Sequence, residues 1–155
     1  MVALGDWPQL LQRSDVAGNG IMGETTGGLL RRIKEGELLP KTVIIWIGIN
    51  DLQSHALLAT THNNMKAILS LLHGKKLFMI SSVPTAFPYG SSYLRDLRTF
   101  ERSICVQPTC TFIDISDVLA PKGILLDKFT KDKVHLNWMG YQVISNKIEN
   151  YLVDG

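Results

Sequence analysis

The sequence lacks several features that would each indicate a particular class of protein. Its 155 residues include only two cysteines, and its formal net charge at pH 7 is +2. Two cysteines are too few for a disulfide-rich scaffold, and so small a net charge predicts no nucleic-acid or membrane partner. Apolar runs such as TVIIWIGI are far shorter than the roughly 20 residues that a membrane-spanning helix requires.

Metal-binding and secretion patterns are also missing. No histidine and cysteine cluster has zinc spacing, so no metal site or cofactor is predicted. The N-terminus shows no charged segment followed by an apolar one, which favours a cytoplasmic location, although an incomplete N-terminus would look the same. In that location Cys105 and Cys110 are expected to be reduced thiols, with a small loop-closing disulfide as the alternative.

What is present is a regular alternation of strand and helix patterns. Three apolar, β-branched segments are typical of strands buried on both faces: TVIIWIG (residues 42–48), KLFMISSV (76–83) and CTFIDIS (110–116). Shorter strands are expected at residues 2–4 and 15–17. Helical spacing of apolar residues occupies the segments 25–36, 61–74, 91–104 and 137–153. This alternation predicts one three-layer α/β domain over residues 1–155, with a parallel sheet between two helical layers.

Two polar loops follow predicted strands, where α/β proteins collect their functional residues. NGIMGETTGG (residues 19–28) offers glycine N–H groups and a helix N-terminus, which favour an anion, although isolated glycine-rich stretches are more often flexible loops. GIND (residues 48–51) places Asn50 directly after a strand, where its amide can donate a hydrogen bond to a developing oxyanion. A polar turn in which Asp51 caps the next segment is the alternative.

A third loop, KDKVHLNWMGY (residues 131–141), contains Asp132 and His135 just before the last helix. On a loop, a separation of three residues lets the carboxylate hold one imidazole nitrogen while the other nitrogen faces a cleft. A general-base histidine needs this arrangement. A lone histidine near a helix start is more often a surface or capping residue, but the paired aspartate favours the catalytic interpretation.

Together, NGIMGETT, GIND and DKVHLN resemble three blocks of the SGNH, or GDSL-type, hydrolase family, in the family's order. The resemblance covers nearly the whole chain from Trp7 onward. It implies a flavodoxin-like α/β/α sandwich with serine esterase, lipase, thioesterase or carbohydrate deacetylase activity. It also implies that Gly23 and Asn50 are oxyanion-hole donors and that Asp132 and His135 are two members of the catalytic triad.

The third member, the serine, has no evident counterpart. The family's first block is Gly-Asp-Ser after the first strand, and in one alignment MVALGDW is that strand and block, with Trp7 in place of the serine. In the other, WPQLL lies on the helix after the serine, which the chain then lacks; the 16 residues from Trp7 to Gly23 favour this second alignment. No other serine considered has an elbow-like strand-to-helix setting beside a glycine: Ser14, Ser54, Ser81, Ser82, Ser91 and Ser92.

The sequence therefore predicts an ester hydrolase for a small acyl or acetyl ester, such as an acylated carbohydrate or lipid. Two alternatives stay open: a binding module that keeps the cleft without the chemistry, and a fragment of a larger esterase whose nucleophile lies upstream. The acyl group, the alcohol and the oligomeric state, including a homo-oligomer, are not determined by the sequence.

Overall fold

A computed structural model describes residues 2–86 and 90–152 of the chain. Within these residues three parallel strands form one sheet, in the order β1 (Thr42–Ile45), β2 (Lys76–Ile80), β3 (Cys110–Ile113). Thr42 of β1 pairs with Lys76 of β2, and Leu77 of β2 pairs with Cys110 of β3. The predicted parallel sheet is confirmed for these three strands.

Seven α-helices surround the sheet in the described parts of the chain. They are α1 (Trp7–Leu10), α2 (Thr26–Lys34), α3 (Ile49–Gln53), α4 (Leu58–Leu71), α5 (Ser91–Ile104), α6 (Ser116–Leu119) and α7 (Trp138–Leu152). Single turns of 3₁₀ helix lie at Val2–Leu4 and Asp127–Phe129. None of these described helices combines the length and the hydropathy needed to cross a membrane.

The helices form two layers because the side chains of a strand point alternately to its two faces. Leu77 and Met79 of β2 pack in one apolar cluster with residues of α4 and α5. Phe78 and Ile80 pack in a second cluster with residues of α1, α6 and α7. The three-layer α/β/α arrangement predicted from the sequence is therefore present.

The first 20 residues differ from the expectation. Val2–Leu4 is a 3₁₀ turn and not a strand, and residues 15–17 form no strand. A strand needs a hydrogen-bonding neighbour, and neither segment pairs with β1. β1 packs on both faces as predicted, with Val43 and Ile45 in one apolar cluster and Ile44 in the other, but Val43 and Ile44 are only half-buried, because the strand has a neighbour on one side only.

The two cysteines also differ from the expectation. Cys105 and Cys110 form a disulfide, so the prediction of reduced thiols is wrong. Cys105 ends α5 and Cys110 begins β3, and the reversal between them brings their Cα atoms to 4.9 Å, within the range that a disulfide requires. The prediction rested on the missing secretion signal, and the alternative, a small loop-closing disulfide, is the one that the structure has.

Candidate active site

Trp7, which stands where one alignment expects the nucleophile, is a core residue. Its side chain is 5% exposed, and its indole N–H donates to the carbonyl of Val2 at 2.9 Å. The indole meets the ring of Tyr141 edge-on, with centroids 5.9 Å apart. Trp7 therefore packs α1 against α7, which agrees with the alignment that puts WPQLL on the helix after the serine.

Asp132 and His135 are joined by a hydrogen bond, as their spacing predicts. Oδ2 of Asp132 lies 2.7 Å from Nδ1 of His135. Oδ1 of Asp132 accepts from the backbone N–H of His135 at 2.7 Å and from that of Val134 at 3.0 Å. The backbone N–H of His135, followed by its imidazole, lowers the pKa of Asp132 to about 2.

The low pKa of Asp132 determines which imidazole nitrogen carries the proton. At neutral pH the carboxylate is ionised and can only accept, so Nδ1 of a neutral His135 holds the hydrogen and Nε2 holds a lone pair. Nε2 has no hydrogen-bond partner among the described residues. The imidazole is therefore oriented to take a proton at Nε2.

The loop that carries this pair is held in place from three sides. The Thr130 hydroxyl donates to the carbonyl of His135 at 2.8 Å. Asn137 is the predicted N-cap of α7, since its side-chain oxygen accepts a backbone N–H of the first helical turn at 3.0 Å. The backbone N–H of Ala86 donates to the carbonyl of Lys133 at 2.8 Å, which ties the loop to the segment after β2.

Gly23 and Asn50 are brought together through Glu24. The Asn50 side-chain amide donates to the carbonyl of Glu24, the residue after Gly23, at 2.8 Å. The amide has a second hydrogen, which no acceptor among the described residues takes. The backbone N–H of Gly23 is likewise unpaired within residues 2–86 and 90–152, and a Cβ built on Gly23 would meet no atom within 4 Å. Both donors are available to a ligand.

Gly48 makes the turn that presents Asn50. Its φ is +123°, and a Cβ there would lie 2.6 Å from Cδ2 of Leu97. Both the left-handed conformation and the close packing therefore favour glycine. This turn leads β1 directly into α3, on which Asn50 and Asp51 lie.

Asp51 connects the two loops, a role that the sequence interpretation missed by treating it only as a cap. Its carboxylate is buried and accepts from the backbone N–H of Thr26 at 2.9 Å, from the Thr26 hydroxyl at 2.5 Å and from the Thr61 hydroxyl at 3.2 Å. Thr26 begins α2, directly after the Gly23 loop. Asp51 thus holds that loop beside the end of β1, and the threonines after Gly23 were the available signal.

Both pairs lie at the same edge of the sheet. Asn50 follows the carboxyl end of β1, and the Asp132–His135 loop is bonded to the segment after β2, the neighbouring parallel strand. Within the described residues, no hydrogen bond joins one pair to the other. The same residues contain no group of three or more histidine, cysteine, aspartate or glutamate side chains arranged to hold a metal ion.

No serine in the described residues is hydrogen-bonded to His135. The Ser81 hydroxyl is fully buried and accepts from the backbone N–H of Ile115 at 3.0 Å. The Ser82 hydroxyl donates to the buried carboxyl of Glu101 at 2.8 Å. These two serines at the carboxyl end of β2 are therefore structural. Ser91 and Ser92 lie in the first turn of α5, whose N-cap is Gly90.

Comparisons with known proteins identify the family and the fold of the chain. Residues 3–143 match the GDSL-like Lipase/Acylhydrolase family. None of the curated proteins matches the chain. Among solved structures, a Streptococcus pneumonia protein described as a candidate platelet activating factor has a TM-score of 0.87 at 21% identity, covering 97% of this chain and 79% of its own.

Two further solved structures have the same fold. A GDSL-like lipase from Bacteroides thetaiotaomicron has a TM-score of 0.82 at 22% identity, covering 95% of this chain and 80% of its own. An acetyl xylan esterase has a TM-score of 0.71 at 22% identity, covering 87% of this chain and 79% of its own. At these identities the likeness establishes the α/β fold of the SGNH hydrolases.

Proposed function

We propose that this chain, which belongs to the GDSL-like Lipase/Acylhydrolase family, is built to hydrolyse a small acyl or acetyl ester at the edge carrying Asp132 and His135. Family membership supports an ester hydrolase in general. The substrate and the roles of the residues are our proposal. The observation that carries the proposal is the 2.7 Å hydrogen bond between Asp132 and His135 at the carboxyl edge of the sheet. The acetyl xylan esterase among its structural neighbours supports an acetyl ester as the first substrate to test.

The proposed mechanism assigns one step to each group. Nε2 of His135 removes the proton of a serine hydroxyl while the oxygen attacks the ester carbonyl, and Asp132 stabilises the resulting imidazolium. The Gly23 N–H and the Asn50 amide donate to the oxyanion of the tetrahedral intermediate. The imidazolium then protonates the leaving alcohol. Water, activated by the same nitrogen, finally releases the acid and regenerates the serine.

The serine hydroxyl is the part that residues 2–86 and 90–152 do not place beside His135. A triad enzyme without its nucleophile keeps only about 10³–10⁴-fold acceleration over water, from its oxyanion hole and binding groups. We therefore expect weak hydrolysis of activated esters by the unmodified chain, insensitive to phosphonylating serine reagents.

The experiment is to restore the serine. A segment of family-like length ending in Gly-Asp-Ser is inserted ahead of Trp7, and hydrolysis of p-nitrophenyl acetate is measured. The rate should rise by orders of magnitude, and a fluorophosphonate should label the inserted serine; the same insertion ending in Gly-Asp-Ala is the matched control. Fast turnover by the unmodified chain, together with a labelled native serine, would contradict the proposal.

The lack of a serine beside His135 also favours a second candidate, a binding module for acetylated sugars. Such a module would bind an acetylated xylo-oligosaccharide with saturation, and serine insertion would produce no hydrolysis. Calorimetric titration of the unmodified chain, run beside the insertion experiment, separates the two functions.

A further inference from the structure

Asn19 and Gly20 form the one Asn-Gly pair in the sequence. They end the segment 16–20, which belongs to no helix or strand, and Asn19 is exposed to solvent. The close packing favours glycine at position 20, because a Cβ there would lie 2.6 Å from the backbone nitrogen of Ala3. The fold therefore keeps an exposed asparagine side chain next to a peptide nitrogen whose own residue has no side chain to shield it.

The peptide group that joins Asn19 to Gly20 is hydrogen-bonded at its oxygen and free at its nitrogen. Nη2 of Arg32 donates to the carbonyl of Asn19 at 3.2 Å. The N–H of Gly20, which belongs to the same peptide group, has no hydrogen-bond partner among the described residues. When a peptide nitrogen loses its proton, negative charge spreads to the carbonyl oxygen, where a guanidinium donor stabilises it. Arg32 therefore favours the deprotonated, nucleophilic form of the Gly20 nitrogen.

The side chain of Asn19 is held by a carboxylate. Its Nδ2 donates to Oε1 of Glu37, and the same oxygen accepts from Nη1 of Arg32 at 2.6 Å. An attack on the amide carbon of Asn19 expels Nδ2, so Glu37 touches the leaving group of such a reaction. Arg32 and Glu37 thus contact the two groups that would react with each other.

We propose that Asn19–Gly20 is a self-modification site, at which the folded protein converts its own Asn19 to aspartate and isoaspartate. The Gly20 nitrogen, after losing its proton to water, bonds to Cγ of Asn19, a ring closure favoured because both groups belong to one chain. The Cγ–Nδ2 bond breaks, and Nδ2 takes up a proton and leaves as ammonia. Water then adds to either carbonyl of the resulting succinimide and opens the ring. The reaction consumes only water and is independent of the proposed function.

The modification changes the charges around Arg32. It places a new carboxylate at position 19 beside that of Glu37, and Arg32 already pairs with Glu37 and Glu24. The new carboxylate should repel Glu37 and weaken the 2.7 Å ion pair between Arg32 and Glu24. Because the carbonyl of Glu24 accepts from the Asn50 amide, the loop that carries Gly23 should become less stable.

The test incubates the unmodified chain at neutral pH and follows Asn19 by peptide mapping. Mass spectrometry with electron-transfer fragmentation distinguishes aspartate from isoaspartate. The synthetic peptide acetyl-DVAGNGIMGE-amide, which copies residues 15–24, gives the rate of the same Asn-Gly pair without the fold. We expect the folded chain to be modified at least as fast as the peptide, while Asn146, exposed on α7, stays unmodified. Slower modification of the folded chain than of the peptide would overturn the proposal.

Two substitutions on α2 test the role of Arg32. Arg32→Gln removes the guanidinium from the carbonyl of Asn19 and should slow the modification by on the order of tenfold. Arg31 is exposed on the same helix, so Arg31→Gln is the matched control and should keep the original rate. Equal rates in both variants would overturn the role of Arg32. The comparison of folded chain and peptide needs no variant, so it decides the proposal if Arg32→Gln does not fold.

Two further substitutions test the effect on the Gly23 loop. Asn19→Asp supplies the new carboxylate directly and should lower the urea concentration at which the chain unfolds. Asn146→Asp adds the same charge at an exposed position of α7 and should change that concentration less. Equal shifts would reject the effect on the loop and keep the modification site. Asn19→Gln keeps an amide but cannot form the succinimide, so any modification mapped to position 19 in this variant would overturn the ring-closing step.

Discussion

The two outer strands of the sheet are shielded in different ways. Beside β3, the Arg102 guanidinium lies 4.9 Å from the centre of the Phe112 ring, and Asp114, directly after the strand, accepts from Nε of Arg98 at 3.0 Å. The free side of β1 instead borders a groove between the two helical layers, lined mostly by apolar residues but also by charged ones such as Arg32 and Glu37. Natural sheets usually protect exposed edges with charged side chains or coverings. The β3 flank is therefore protected by ion pairs alone, whereas at β1 the helical layers and charged side chains of the groove share that role.

The proposed catalytic groups also differ from one another, in how local their contacts are. Asp132 and His135 lie three residues apart on one loop, so a few local hydrogen bonds assemble them. The serine nucleophile of the proposed mechanism has no such local contact, because no serine of the described residues is hydrogen-bonded to His135. The Asp132–His135 pair is therefore assembled by local contacts, and a serine beside it would depend on long-range ones.

The largest expected effect tests the Asp132–His135 pair. In the serine-inserted chain, His135→Ala should lower kcat by on the order of 10⁴-fold or more, because triad members act as a unit. His73 is exposed just after α4, so His73→Ala is the matched control and should leave kcat unchanged. Steady-state hydrolysis of p-nitrophenyl acetate measures both variants. Full activity in His135→Ala would show that His135 is not the general base.

The parts of the fold that the sequence predicts correctly are those governed by local patterns. α5 has the predicted bounds, and Asn137 caps α7 as expected, because capping and apolar periodicity act within a few residues. The Asp132–His135 hydrogen bond follows from a separation of three residues for the same reason. The errors concern long-range pairing. Val2–Leu4 has strand composition but no strand partner.

Within the site, the sequence could not show how distant loops meet. Asp51 contacts Thr26 and Thr61, 25 and 10 residues away, and no local pattern encodes these contacts. The disulfide was mispredicted for a different reason: the spacing of Cys105 and Cys110 allows a loop-closing disulfide, but the missing secretion signal favoured reduced thiols.

The second prediction concerns Asp51, which holds the Gly23 loop beside the end of β1. Asp51→Ala should lower the free energy of unfolding by about 3 kcal/mol, because it leaves the buried N–H and hydroxyl of Thr26 without an acceptor. Urea titration measures this. Asp117 provides the control: its carboxylate is 59% exposed and pairs with Lys147 at 2.7 Å, so Asp117→Ala should cost less than about 1 kcal/mol. Equal small losses would mean that Asp51 does not hold the two loops together.

The third prediction concerns the disulfide between Cys105 and Cys110, which joins the end of α5 to the start of β3. Replacing both Cys105 and Cys110 by serine should lower the free energy of unfolding by about 2 kcal/mol, the value expected from closing so short a loop in the unfolded chain. Hydrolysis by the serine-inserted chain should not change, because the disulfide lies away from the dyad. Thiol titration of the denatured protein should find two thiols only after reduction. Two thiols found without reduction would show that Cys105 and Cys110 are not bonded to each other.

The last prediction is a pH dependence of stability from Glu101, whose side chain on α5 is buried and accepts a hydrogen bond from the backbone N–H of Ser82, after β2. Burial raises the pKa of Glu101 from 4.5 to about 8, although hydrogen bonds from Ser82 oppose the rise. A carboxyl group with a raised native pKa binds its proton more tightly in the folded state. Its contribution to stability is therefore complete below pH 4.5 and is lost as the pH rises towards 8.

Glu101→Gln isolates this contribution, because glutamine stays neutral while still accepting the Ser82 N–H and donating to its hydroxyl. Urea unfolding between pH 5 and pH 8 should show stability falling with pH in the unmodified chain and a flatter profile in the variant. Glu35 is exposed just after α2, so Glu35→Gln should keep the original slope. If Glu101→Gln keeps that slope as well, Glu101 is ionised in the fold. The interior next to Ser82, after β2, would then hold a charged carboxylate.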